Sequence, residues 1–121
     1  MKTADEIQAA LPQFIGTEHY YRAQPGVLLT DGAKYLADSA EAYWLMDIIW
    51  SVYKDYRSEG FHHYILEVDL EKKTGTFRLE DGNYKVLYKQ EIPLTDFPLA
   101  KVELYGQPYL NDWVIMLTSE Y

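Results

Sequence analysis

The chain has 121 residues, 48% hydrophobic and 16% aromatic, which is enough apolar material for one core and too little for two. Its 11 Lys and Arg against 19 Asp and Glu leave a formal charge of −8, which argues against direct binding to nucleic-acid phosphates or anionic membranes and suits a protein partner with a basic surface. The absence of cysteine excludes disulfides, thiol nucleophiles and cysteine-ligated zinc.

Thr3 and Glu6 have capping-box spacing ahead of Ile7, Ala10 and Leu11, which predicts a helix from about Ala4 to Leu11, ended by Pro12. Asp5 and Glu6, with no continuous apolar run after them, do not read as a secretory leader. The stretch Ala40 to Tyr53 is interrupted by Glu41, Asp47 and Ser51 and is too short to cross a bilayer, so a cytoplasmic protein is expected. Gly16, Pro25, Gly26 and Gly32 then punctuate a segment in which Tyr20–Arg22 and Val27–Leu29 are short extended candidates.

Thr30 is placed to cap a helix through about Ala37, and Asp38 with Glu41 repeats the capping-box spacing at the head of a longer helix, about Ser39 to Tyr56. On a helical wheel Leu45, Met46, Ile49, Val52, Tyr53 and Tyr56 form one apolar face. Asp47, Ser51 and Lys54 lie opposite; Trp44 is on that polar side, flanked by Tyr43 and Trp50. After Gly60 the period changes to two: Tyr64, Leu66, Val68 and Leu70 alternate with His63, Ile65, Glu67 and Asp69. The turn Glu71–Gly75 leads to a strand at Thr76–Glu80, Asp81-Gly82-Asn83 is a hairpin turn, and Tyr84–Gln90 alternates again. Pro93 and Pro98 bracket a loop, after which Lys101–Tyr105 and Trp113–Thr118 read as strands joined around GQPYLND; the last, apolar on both faces, suits a central position. The expectation is a single α+β domain over residues 1–121. Helices of the N-terminal half would pack on one face of a mostly antiparallel, roughly five-stranded C-terminal sheet.

Few residues point to chemistry. His19 beside Glu18 has a carboxylate neighbour, but adjacent residues of an extended segment point to opposite sides, and His62 and His63 have the same difficulty as ligands of one metal. Asp47 sits between Trp44 and Trp50 and must find solvent or hydrogen-bonding partners. The pairs Thr30-Asp31 and Thr95-Asp96 suggest a carboxylate dyad, yet a cap and a turn account for both. Gly16, Gly26 and Gly32 lack the spacing of phosphate loops, so neither a cofactor nor a metal site is predicted. Twelve tyrosines are unusual in a chain of this size, and tyrosine is enriched at protein interfaces. The candidate binding residues are Glu18, His19, Tyr20, Tyr21, Trp44 and Asp47.

The segments GTEHYYR at 16–22, TDGAKYLADSAEAYWLMDII at 30–49 and TDFPL at 95–99, followed by Leu104-Tyr105, resemble an uncharacterised family of small bacterial, phage and mobile-element proteins. The resemblance implies a free-standing domain encoded near mobile elements and brings no catalytic residue with it. By analogy with accessory proteins of this size and acidity, the leading expectation is a non-enzymatic interaction protein that inhibits a host defence protein, for example of a CRISPR system, by occupying its nucleic-acid-binding face. The alternative is a small enzyme or ligand-binding domain with a pocket around Trp44, Asp47, Glu18 and His19.

Overall fold

The computed structural model describes residues 1–121. Its elements are helix α1 (Ala4–Ala10), strands β1 (Tyr20–Gln24) and β2 (Val27–Thr30), helices α2 (Asp31–Ser39) and α3 (Tyr43–Tyr56), then strands β3 (His62–Asp69), β4 (Thr74–Glu80), β5 (Val86–Ile92), β6 (Lys101–Tyr109) and β7 (Asp112–Leu117). Thr3 caps α1 in a full capping box with Glu6, and Pro12 lies in a 3-10 turn, Leu11–Gln13, that carries the coil one turn further.

The strands form one sheet of seven in the order β1-β2-β7-β6-β3-β4-β5, and every pairing is antiparallel except β2 with β7. The expected sheet of about five strands is therefore too small. The two short extended segments before α2 join it as a hairpin that turns at Gly26, whose φ is +83°. Runs of four and five residues carry little periodicity, but Val27 and Leu29 are buried, and β7, apolar on both faces, offers them a second edge to pair with.

Two further boundaries differ from the sequence reading. Asp38 caps nothing: it lies inside α2 and accepts hydrogen bonds from Lys34 Nζ (2.7 Å) and Tyr43 Oη (2.5 Å). The long helix starts at Tyr43, four residues later than expected, after a turn at Glu41 (φ +50°). Strand β6 runs through Gly106 and Pro108, which had looked like loop residues. A Cβ at Gly106 would stand 2.5 Å from Trp113 Nε1 and 2.6 Å from Tyr64 Oη, so this glycine is a packing residue in mid-strand rather than a turn signal.

One core cluster joins Ile7 of α1, Leu36 of α2 and Leu45, Ile49 and Val52 of α3 to Leu29, Tyr64, Leu66, Phe77, Leu104 and Ile115 of the sheet. Tyr56, expected on the buried face of α3, is half-buried at its margin. Glu120 closes the fold from the far end of the chain. Its carboxylate accepts from Thr30 Oγ1 (2.6 Å), Gly32 N (3.0 Å) and Leu117 N (2.9 Å), which places a negative charge at the N-terminus of α2.

Candidate interaction surface

The register assigns every strand residue to one of two faces. His63 stands opposite Tyr105 and Glu80, Tyr105 opposite Met116, Ile65 opposite Glu103 and Arg78, and Glu67 opposite Lys101 and Thr76. Val114 continues this face to Gln107 on one side and, through Leu28, to Arg22 on the other. None of these residues belongs to the core cluster. Ile65, Val114 and Met116 are nevertheless buried, at 2%, 1% and 6% exposure, among the large side chains that this face also carries.

Those side chains form two groups. Tyr105 packs against Phe61 (ring centroids 5.0 Å), His63 (5.2 Å) and Tyr121 (5.3 Å), while Tyr20 of β1 stacks on Tyr109 of β6 at 4.4 Å. The second group is ionic. His63 Nε2 lies 3.0 Å from Glu103 and its Nδ1 3.8 Å from Glu80; Arg78 Nε donates to Glu80 (3.2 Å), and the other end of the guanidinium donates to Glu67. Arg78 holds the Glu67 carboxyl below its ordinary value. Glu80 and Glu103 approach opposite nitrogens of the imidazole, so the three side chains cannot converge on one metal ion. At the end of the sheet Arg22 makes a forked pair with Asp112 (3.1 and 3.3 Å). The surface presents flat rings beside carboxylates, the combination that receives a guanidinium by stacking and hydrogen bonding.

The six candidate residues do not assemble into one site. Glu18, His19 and Tyr21 meet around Asp31, which accepts from Glu18 N (2.8 Å) and Tyr21 Oη (3.1 Å) and lies 3.9 Å from His19 Nδ1. The Glu18 amide, aided by the Tyr21 hydroxyl, holds the Asp31 carboxyl below its ordinary value. Thr17 Oγ1 in turn accepts from Asp31 N (2.8 Å) and donates to the His19 carbonyl (2.7 Å). Tyr20 points the other way, into the ring pair on the second face. Trp44 meets Phe97 edge-on at 6.3 Å, and exposed Asp47 accepts from Gln24 Nε2 of β1 at 2.5 Å. Asp31 and Asp96 share no hydrogen-bond partner; Thr95 is occupied with the Phe97 amide.

His62, adjacent to His63, has a different environment. It is fully buried, with Nδ1 2.9 Å from Tyr64 Oη and Nε2 2.7 Å from the Tyr56 carbonyl, and burial pushes its pKa down. The alternation already set the two histidines on opposite faces; what it did not show is the Tyr64 and Tyr56 groups that satisfy the buried ring.

An open cleft of about 450 Å³ lies beside Gly26, Tyr53, Lys54, Arg57, Asn111 and Trp113, at the tip of the β6–β7 hairpin. No group of three or more His, Asp or Glu side chains is arranged to hold a metal ion, and no helix is long and apolar enough to cross a membrane.

Residues 5–121 match a family of unknown function, DUF6876, and the chain belongs to it. No curated protein and no solved structure matches the chain.

Proposed function

We propose that this member of the family is a non-enzymatic protein-interaction domain whose binding surface is the sheet face outside the core cluster, and that its partner presents arginine and lysine. The observation that carries the reading is the juxtaposition on that face of Tyr20, Tyr105, Tyr109 and Tyr121 with Glu67 and Glu103. Helices α1, α2 and α3 contribute to the core on the opposite face, which leaves this one covered by its own rings and ion pairs. Tyr20 and Tyr121 are exposed at 40% and 72%, so each ring has area open to a partner. Tyrosine offers a partner large, rigid area with a polar tip. The net charge of −8 supports attraction to a basic protein. In its more specific form the proposal is a cytoplasmic inhibitor of phage or mobile-element origin that occupies the nucleic-acid-binding face of a host defence protein. The same net charge supports that form.

Affinity capture from host lysate tests the proposal, with Tyr105→Ala and Glu103→Lys as surface variants and Asp47→Lys, on the outer side of α3, as the control. The expected result is a captured protein that Asp47→Lys retains and both surface variants lose, with affinity falling as salt shortens the Debye length below about 10 Å. A partner bound equally by all three, or a flat salt response, overturns the proposal.

A further inference from the structure

The two edges of the sheet differ. Strand β1 is short and its register shifts between Arg22 and Gln24. Strand β5 pairs with β4 on one side only, and its regular run, Tyr88–Ile92 against Gly75–Leu79, ends at an extra residue, Leu87, and at Pro93. An edge of this kind presents unpaired backbone donors and acceptors to any extended strand.

We infer that β5 pairs antiparallel with β5 of a second copy of this chain, about a two-fold axis through Gln90, to give one sheet continuous across the dimer. A two-fold normal to the sheet requires some residue to stand opposite its own copy. With Gln90 in that place, Lys89 of each copy faces Glu91 of the other and Tyr88 faces Ile92. The irregular residue Leu87 falls opposite Pro93, so the five-residue ladder is used in full and stops on both sides together. Val86 and Leu94, exposed at 47% and 76%, fall opposite one another at the ends of the seam. The neighbouring same-face registers, centred on Lys89 or Glu91, place like charges opposite each other, which is unfavourable in a cross-strand pair. Charge therefore disfavours both neighbours of the Gln90 register, and use of the whole ladder disfavours the registers beyond them. Lys89 and Glu91 already lie on one face 3.9 Å apart, so the dimer would carry a two-by-two array of alternating charges across the seam. The ladder forms whether Gln90 turns its N–H outward or inward, because antiparallel two-fold axes pass through hydrogen-bonded and non-hydrogen-bonded pairs alike. This inference rests on the edge, not on the tyrosine-bearing face, and either can fail without the other.

Sedimentation of the intact chain from about 5 to 200 µM at low salt measures the association. The expected result is a dimer that Lys89→Glu and Glu91→Lys each weaken by about tenfold, since each change turns two attractive cross-strand pairs repulsive. The double swap Lys89→Glu with Glu91→Lys restores it. Both positions are exposed, and circular dichroism confirms that each variant is folded. Hydrogen exchange supplies a second readout: amides of Tyr88–Ile92 gain protection as concentration rises. A chain that stays monomeric throughout overturns the inference. So does a dimer indifferent to the charge changes, or one that Tyr105→Ala abolishes, which would place the contact on the tyrosine face.

Discussion

Replacing Tyr64 by Phe removes one oxygen from the middle of a buried chain of hydrogen bonds. Trp113 Nε1 donates to Tyr64 Oη at 3.0 Å; at the next link, 2.9 Å long, the Tyr64 hydroxyl meets His62 Nδ1, and His62 Nε2 lies 2.7 Å from the Tyr56 carbonyl. A carbonyl only accepts, so the imidazole proton sits on Nε2 and Nδ1 must accept from Tyr64. Only neutral His62 satisfies every member. Burial acts in the same direction, lowering the His62 pKa and raising that of Tyr64. In Tyr64→Phe the ring stays packed on Phe77, but the Trp113 N–H and His62 Nδ1 lose their partner. At about 1–3 kcal/mol for each buried orphan the loss is roughly 3 kcal/mol, which lowers Tm by about 12 °C in a domain of this size. The pH dependence has a definite sign. Because folding lowers the His62 pKa, its contribution is complete above the ordinary histidine value of about 6.5 and is lost as pH falls toward the folded value, with a slope of at most about 1.4 kcal/mol per pH unit. The carboxyls of Asp38 and Glu67, held low by Lys34 and Arg78, lose their contributions only below the ordinary carboxylate range, outside that window. Urea unfolding at about pH 7.5 and 5.5 measures both effects, with His62→Gln as the variant that flattens the slope. A Tyr64→Phe protein within about 0.5 kcal/mol of the parent, or a pH slope that His62→Gln leaves unchanged, refutes the reasoning.

Gly32→Ala should destabilise the fold although alanine is the better helix former, because its Cβ would stand 2.5 Å from Glu120 Oε1 and from Leu117 Cδ1. Glu120→Ala, which removes the shared acceptor, should cost about 2 kcal/mol by chemical denaturation and relieve part of the Gly32→Ala penalty in the double variant; additivity of the two would be the contrary result. Ile49→Asp places a charge at a position with no exposure, in the centre of the core, and should abolish cooperative unfolding at neutral pH. Asp38→Ala should cost less than about 1 kcal/mol, since it loses an exposed i,i+4 pair with Lys34 and a bond to Tyr43 rather than a helix cap; a loss of 2 kcal/mol or more would reinstate the cap.

Much of the fold was legible because it repeats a period. The apolar stripe of α3, the alternation of β3 and the capping boxes or hydroxyl caps at Thr3 and Thr30 are local patterns, and the structure realises them. In each misreading a partner overrode a residue's local preference, and in two of them that partner is distant in the chain. Gly106 is small for the sake of Trp113 and Tyr64, and β2 is a strand because β7, more than eighty residues later, has an edge to offer. Asp38 had the spacing of a cap, but Lys34 on its own helix reached it first.

The surface was harder to read than the fold, because a face is a property of register. Tyr20, Tyr105, Tyr109 and Tyr121 are scattered in sequence and become one patch only when six strand pairings are known. The converse holds for the segments that looked most distinctive. In GTEHYYR at 16–22 and TDG at 30–32, Thr17 and Asp31 exchange hydrogen bonds with each other's neighbourhoods, Glu18 and Tyr21 close on the Asp31 carboxylate, and Gly32 makes room for Glu120. Thr30, the first residue of the second segment, binds Glu120 as well as capping α2. Thr17, the Glu18 amide and Tyr21 tie the segment around the first hairpin to Asp31 at the start of α2, and Thr30 with the Gly32 amide ties α2 to Glu120 near the end of the chain. Much of what these segments carry is therefore architectural, while Tyr20 in the first of them, and Tyr105, lie on the face proposed to meet a partner.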